Sequence, residues 1–315
     1  MPKTKPFKTL DEQIEILIKR GVIIKDRKDA KSKLMKYNYF DLINGFETTL
    51  LKTKNPKSFD KIHFNDFYSL YNFDARLTNE FLIAIFEFES KLRSSISYHF
   101  TKRYCNSSKD TMNYTNSTYY KNPFPNHKYK KYWAKKFYQF PYFSNNGSNF
   151  ISDLKRRKDY VAVYDKPPLW IVIKTMPLGS LFFNFIFLDD DVKEDVLNDF
   201  GLTLNDSDFM IQSIHVIKEL RNTCAHLELV TRFRASKNEK LDTHNDILNK
   251  LHLQKRKDLS LLHTTILLGK FVDIRRIKRL IISFYFKMYI SGRLKVVKAV
   301  YSKMGSDKIS NWLKL

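Results

Sequence analysis

Two cysteines, eight glycines and nine prolines in 315 residues leave this chain with few staples and little punctuation. Cys105 and Cys224 are too few for a disulfide framework, and neither falls in a CxxC pattern, so no structural metal is expected. Scarce Gly and Pro favour long helices over many short strands. Long hydrophobic runs are missing as well. LFFNFIFL at 181–188 is short and RLIISFYFKMYI at 279–290 is broken by Lys287, which argues against a membrane span. The opening MPKTKPFKTLDEQ has no apolar signal core, so the expected location is cytoplasmic. Acidic residues are the last shortage: 33 Asp and Glu face 56 Lys and Arg, for a net charge of +23. A field of that size concentrates polyanions, so RNA is the expected partner and a membrane is not.

What is present is a core. With 43% apolar and 15% aromatic residues the chain is globular. TLDEQIEILIKRG offers a Thr9/Glu12 capping box, an apolar stripe through Leu10, Ile14, Leu17 and Ile18, and Gly21 as terminator. A second helix is predicted from about Asp26 to Asn38, followed by a turn around Asn44 and Gly45. Leu77, Phe81, Ile85, Leu92 and Ile96 predict one long helix from about Asn72 or Asp74 to about Lys102. Four segments follow: an N-terminal helical part (1–103), a basic aromatic insertion (104–165), a helical part with the site motif (166–252) and a basic C-terminal helical segment (253–315). They are expected to form one compact domain.

The stretch IHVIKELRNTCAHLELV (214–230) reads as helix and raises a question. Met210, Ile214, Ile217 and Cys224 fall within about 80° of one another in helical projection, with Arg221 in the middle of that arc. A buried guanidinium needs a partner, and the nearest same-face carboxylate, Glu228, is two turns away. Either another element supplies an acid, or the face borders a cleft for an anion. Arg221, Asn222 and His226 also match the pattern of Arg, a polar residue and a His four to six positions after the Arg that marks the HEPN ribonucleases. Two further Arg-to-His spacings occur. Arg93 to His99 carries Ser94 where the stricter pattern has a polar Asn, Asp or His, and Glu89 stands one turn before Arg93 as a ready ion-pair partner. Arg256 to His263 lies where a charge run meets an apolar run. Roughly one such match is expected by chance in a chain of this composition.

Taken in order and spacing, LDEQIEILIKRGV, INGF, FYSLYNFDARLTNEFLIAIFEFESKLRSSI, PPLWIVIKTMPLGSL and LRNTCAH resemble the Abi-like proteins of bacterial abortive phage infection, the AbiD and AbiF group, over about residues 6–235. The resemblance implies an all-α, HEPN-like helical bundle, here with an irregular basic and aromatic insertion. It also implies a metal-independent endoribonuclease toxin kept beside a small noncoding RNA as antitoxin or partner. After His226 this chain has Leu227, Glu228 and Leu229, where many members carry a second His and a downstream Arg.

Metal-independent RNA cleavage needs a base for the 2′-hydroxyl, a cation for the phosphate and an acid for the leaving oxygen. Imidazole suits the proton work because it ordinarily titrates near pH 6.5, and guanidinium suits the phosphate because its forked donors meet two oxygens. The catalytic candidates are Arg221, Asn222 and His226, with Arg93 and His99; no cofactor and no metal are expected. One His cannot easily be both acid and base. The second copy would come from Arg93/His99 in the same chain or from a homodimer. The RNA-binding candidates are Lys128, Lys130, Lys131, Trp133, Lys135, Lys136, Arg156 and Arg157 in the insertion and Arg275, Arg276 and Arg279 near the C-terminus, because basic residues interleaved with rings suit phosphates and bases. The alternative is a noncatalytic module that holds a structured RNA; a membrane-acting toxin would instead use the basic amphipathic C-terminal segment.

Overall fold

A computed structural model describes residues 6–123, 130–143, 147–236, 245–254 and 258–315. Capping chemistry sets its first two helices. The Thr9 hydroxyl accepts from the Glu12 N–H and the Glu12 carboxylate accepts from the Thr9 N–H at 2.8 Å, opening α1 (Leu10–Lys19). Gly21 then turns the chain at φ 88°, where a Cβ would meet the Phe59 carbonyl oxygen at 2.8 Å. Asp26 caps α2 (Arg27–Tyr37), which stops at Asn38 in left-handed backbone. The turn predicted at Asn44 and Gly45 is absent. Phe40–Asn44 instead forms a π-helical turn that runs directly into α3 (Gly45–Leu50). Gly45 serves close packing, since a Cβ there would lie 2.6 Å from Leu229 Cδ1. A short hairpin follows, β1 (Leu51–Lys54) paired with β2 (Lys57–Phe59).

The axis of the molecule is α4 (Phe64–Tyr104), 41 residues or about 60 Å long at 1.5 Å per residue. It starts upstream of the predicted Asn72 or Asp74 because the Asp66 carboxylate accepts from the His63 N–H at 2.7 Å and caps an earlier turn. Its buried face, from Phe67 through Phe81 and Leu92 to Phe100, is continuous. The insertion is more ordered than its composition suggests. It contains α5 (Lys130–Tyr138), α6 (Gly147–Arg157) and α7 (Asp159–Ala162). Its rings close onto the end of α4: Tyr120 stacks on Phe100 (4.8 Å between centroids) and on Phe143 (4.3 Å).

Pro168 and Pro177 open α8 (Leu169–Val172) and α9 (Leu178–Phe187), followed by α10 (Asp190–Asp199) and α11 (Ser207–Ala225). Beyond α11, β3 (Arg234–Ser236) pairs antiparallel with β4 (Asp258–Ser260), with α12 (Asn245–Lys250) between them in sequence. The C-terminal helices are α13 (Leu261–Leu268), α14 (Arg275–Ile290), α15 (Leu294–Met304) and α16 (Ile309–Leu313). Phe284 of α14 stacks on Phe73 of α4 at 4.0 Å, tying the basic C-terminal segment to the axis. Helices take up 69% of the described residues, and the fold is all-α. Buried apolar side chains from Ile14 to Trp312 form one cluster, so all four sequence segments share a core. Among the described residues no helix is long and apolar enough to cross a membrane.

Candidate active site at the end of helix α11

Helix α11 stops at Ala225, earlier than its hydrophobic pattern predicts. Leu227 adopts left-handed backbone at φ 55°, and the Glu228 N–H donates to the Thr223 carbonyl at 3.1 Å, a closure usually made by glycine. His226 therefore stands on the helix cap, exposed, with its N–H donating to the Asn222 carbonyl at 2.9 Å. Leu227 beside it is 86% exposed, so no burial compensates its backbone strain.

The turn that follows has backbone donors with no helical partner. Asp74 of α4 receives them. Its carboxylate accepts from the Thr231 N–H (2.8 Å), the Thr231 hydroxyl (2.6 Å) and the Val230 N–H (3.3 Å). Burial pushes the Asp74 carboxyl up to about 6 despite those donors. Burial likewise pushes the nearby Cys224 thiol up to about 12, which keeps it a packing group.

His226, Leu227 and Glu228 line a cavity of about 790 Å³. Asn44 and Gly45 contribute from the π-turn and α3, and Tyr71, Asp74, Thr78 and Asn79 from α4. Arg232, Phe233 and Arg234 complete it on the far side of the turn. Its charge is mixed, because Asp41 and Glu228 line it along with the two arginines. Arg232 Nη1 donates to the Gly45 carbonyl at 3.2 Å, and Arg234 Nε lies 3.5 Å from the Asp258 carboxylate while burial lowers its pKa. Single π-turns recur at functional sites, and here one forms a cavity edge.

Arg221 and Asn222 are half-buried and do not line this cavity. Met210, Ile214, Ile217 and Cys224 are buried as the stripe predicts, and Arg221 sits where that stripe reaches the surface. Among the described residues its guanidinium pairs with no carboxylate.

INGF, the FDARLTN part of the long helix and RNTCAH thus converge on one cavity. The family model for Abi-like proteins matches residues 32–230. The chain belongs to the Abi-like protein family. That membership makes it an abortive-infection protein of the bacterial type. The matched segment ends at Val230, whose N–H Asp74 holds, so it includes the whole turn carrying His226. It begins after LDEQIEILIKRGV, and it includes the 104–165 stretch. No curated protein and no solved structure matches the chain.

Elsewhere in this Abi-like fold, Arg93 and His99 do not join His226. Arg93 forms an ion pair with Glu89 and donates to the Met176 carbonyl at 2.9 Å. His99 Nε2 lies 3.0 Å from Asp199 Oδ2 and its Nδ1 lies 3.5 Å from Asp195 Oδ2, both on α10. Ser95 donates to the same Asp199 carboxylate at 2.6 Å. His263 is buried, and its Nδ1 lies 2.6 Å from the Ser260 hydroxyl at the start of α13; Arg256 lies outside the described residues.

Trp133 requires a correction: it is 1% exposed, so its ring packs in the core and offers no face to a base. Lys135, Arg156, Arg157, Arg275, Arg276 and Arg279 are exposed. Arg156 is ion-paired with Asp153 and Arg275 with Asp273. Lys136 is half-buried, its Nζ 5.7 Å from the Tyr132 ring centroid. Lys130 and Lys131 open α5, but their side chains, and Lys128 altogether, lie outside the described residues. Among the described residues no three His, Cys, Asp or Glu cluster as metal ligands. Asp74, Arg232 and Arg234 line the cavity without belonging to any Arg-to-His motif of the sequence. Asp74 carried a signal, since it interrupts the apolar face through Leu70, Phe73, Leu77 and Phe81 much as Arg221 interrupts its own.

Proposed function

We propose that this Abi-like protein is a metal-independent endoribonuclease of the HEPN type, a toxin of anti-phage abortive infection associated with a small noncoding RNA. The observation that carries the proposal is His226: an exposed imidazole on a strained cap, fixed beside a cavity by the Asp74 anchor, with the Arg221 guanidinium, free of carboxylates among the described residues, earlier on the same helix end. An RNA strand crossing the end of α11 meets both. Arg221 and Arg232 then hold the scissile phosphate, Asn222 supports the strand, and His226 takes the proton from the 2′-hydroxyl as that oxygen attacks phosphorus. The 5′-oxygen leaves and needs a proton from a second acid.

His99 is a poor source of that proton, because Asp195 and Asp199 hold it against α10. A second copy of the chain supplies it with His226 of its own. Ile83 and Phe86, 50% and 56% exposed on α4, give such a dimer apolar surface. The net charge of +23 supports an RNA partner. Protein purified without nuclease treatment is expected to carry one discrete RNA, measured by absorbance and identified by sequencing. Wild type and His226→Ala should bind it equally. No RNA in either preparation would remove the noncoding-RNA partner. A His226→Ala variant that is still fully toxic would leave the noncatalytic RNA-binding reading.

A further inference from the structure

A second cavity, of about 820 Å³, lies between the C-terminal half of α4 and residues 170–174. That volume is within the range of about 300–1,000 Å³ typical of small-molecule sites. Its wall chemistry is specific. Tyr98 and Trp170 line it and are 63% and 53% exposed. Lys102, Lys174 and Arg93 line it too, with three serines and Thr101, and no carboxylate is among the lining residues. Glu89 and the Met176 carbonyl occupy the Arg93 guanidinium, so the free cations are the two exposed lysines. Lys174 Nζ also lies 5.3 Å from the ring centroid of Tyr160, which is 40% exposed.

We propose that this cavity binds a nucleoside phosphate, its base against Tyr98 and Trp170 and its phosphate at Lys102 and Lys174. Aromatic faces accept any base, and ammonium groups with hydroxyls beside them accept phosphate oxygens. An acidic peptide would use the lysines but leave the exposed rings unused. A purely apolar ligand would use the rings and leave the lysines and hydroxyls unpaired. The ligand is either a free nucleotide or the phosphorylated end of an RNA strand, which present the same chemistry. The site does not depend on cleavage at His226, whose cavity shares no lining residue with it.

Trp170 provides the test, because the other two tryptophans, Trp133 and Trp312, are 1% and 0% exposed. The full chain is titrated with ADP, with adenosine, and with a short oligoribonucleotide carrying or lacking a 5′-phosphate, followed by tryptophan quenching and by calorimetry. The expected result is saturable quenching by ADP or by the phosphorylated oligonucleotide, each tighter than its phosphate-free form. Trp170→Ala, Lys102→Glu and Lys174→Glu should each weaken calorimetric binding by about tenfold or more while melting like wild type. ADP binding identifies a free nucleotide as the source, and binding by the phosphorylated oligonucleotide alone identifies an RNA end. His226→Ala should bind as wild type does, which keeps failure of this proposal separate from failure of the nuclease reading. No saturation by any of the probes, or charge-reversed variants that bind as tightly as wild type, overturns the proposal.

Discussion

Asp74 and Thr231 stand 157 positions apart in sequence, and the carboxylate of the first accepts both the backbone N–H (2.8 Å) and the hydroxyl (2.6 Å) of the second. That relationship ties the turn after RNTCAH to the central helix and so places His226. Asp74→Ala leaves three buried donors without their acceptor and should cost at least about 2 kcal/mol, read by chemical denaturation. Cleavage should fall along with stability, because the turn that positions His226 loses its anchor.

The same carboxyl gives a pH signature. Its folded value of about 6 is raised from the ordinary 3.8, so between those values the folded chain binds a proton that the unfolded chain releases. This group's contribution therefore favours folding at low pH and weakens as pH rises from about 4 to 6. The stability of wild type relative to Asp74→Asn should decline across that window by about 3 kcal/mol and stay level above it. A difference that instead grows with pH would show the carboxylate to be favoured in its ionised form.

Leu227 holds left-handed backbone at φ 55° while 86% exposed, where glycine is unstrained. Leu227→Gly should raise stability by about 1 kcal/mol by thermal melting. If the strain fixes the cap for catalysis, the stabilised variant cleaves more slowly than wild type.

Much of the fold was legible because local chemistry and packing agree there: the Thr9 box, the helix start at Asp26 and the long periodic helix. What escaped depends on distant partners. Gly45 reads as a turn until Leu229 is seen against it, and the insertion reads as irregular until its rings close on Phe100. Asp74 was legible in principle as a charge on an apolar face, but its position suggested a helix start and masked it. Arg221 stands out by that same rule. It does not line the cavity that His226 lines, since five residues at about 100° each put the two side chains about 140° apart around the helix.

His99 bridges α4 to Asp195 and Asp199 on α10. His99→Ala should lower stability by about 1 kcal/mol while RNA cleavage per folded molecule stays within about twofold of wild type. Complete loss of cleavage in a folded His99→Ala protein would restore the intrachain pairing of the two motifs.

Replacing Lys130, Lys131, Lys135 and Lys136 with alanine should weaken RNA binding and flatten its dependence on salt, by a slope change of about one for each phosphate that the variant no longer neutralises. Filter binding across a salt series measures it. Unchanged affinity and slope would make α5 purely structural.

The central claim is that His226 performs proton transfer in RNA cleavage. The direct measurement is single-turnover cleavage of total cellular RNA by purified wild-type and His226→Ala protein, matched for folding and for bound RNA, with 2′,3′-cyclic phosphate ends scored on the products. The account predicts such ends from wild type and a loss of at least about a hundredfold in rate for the variant. Equal cleavage by both proteins would contradict it.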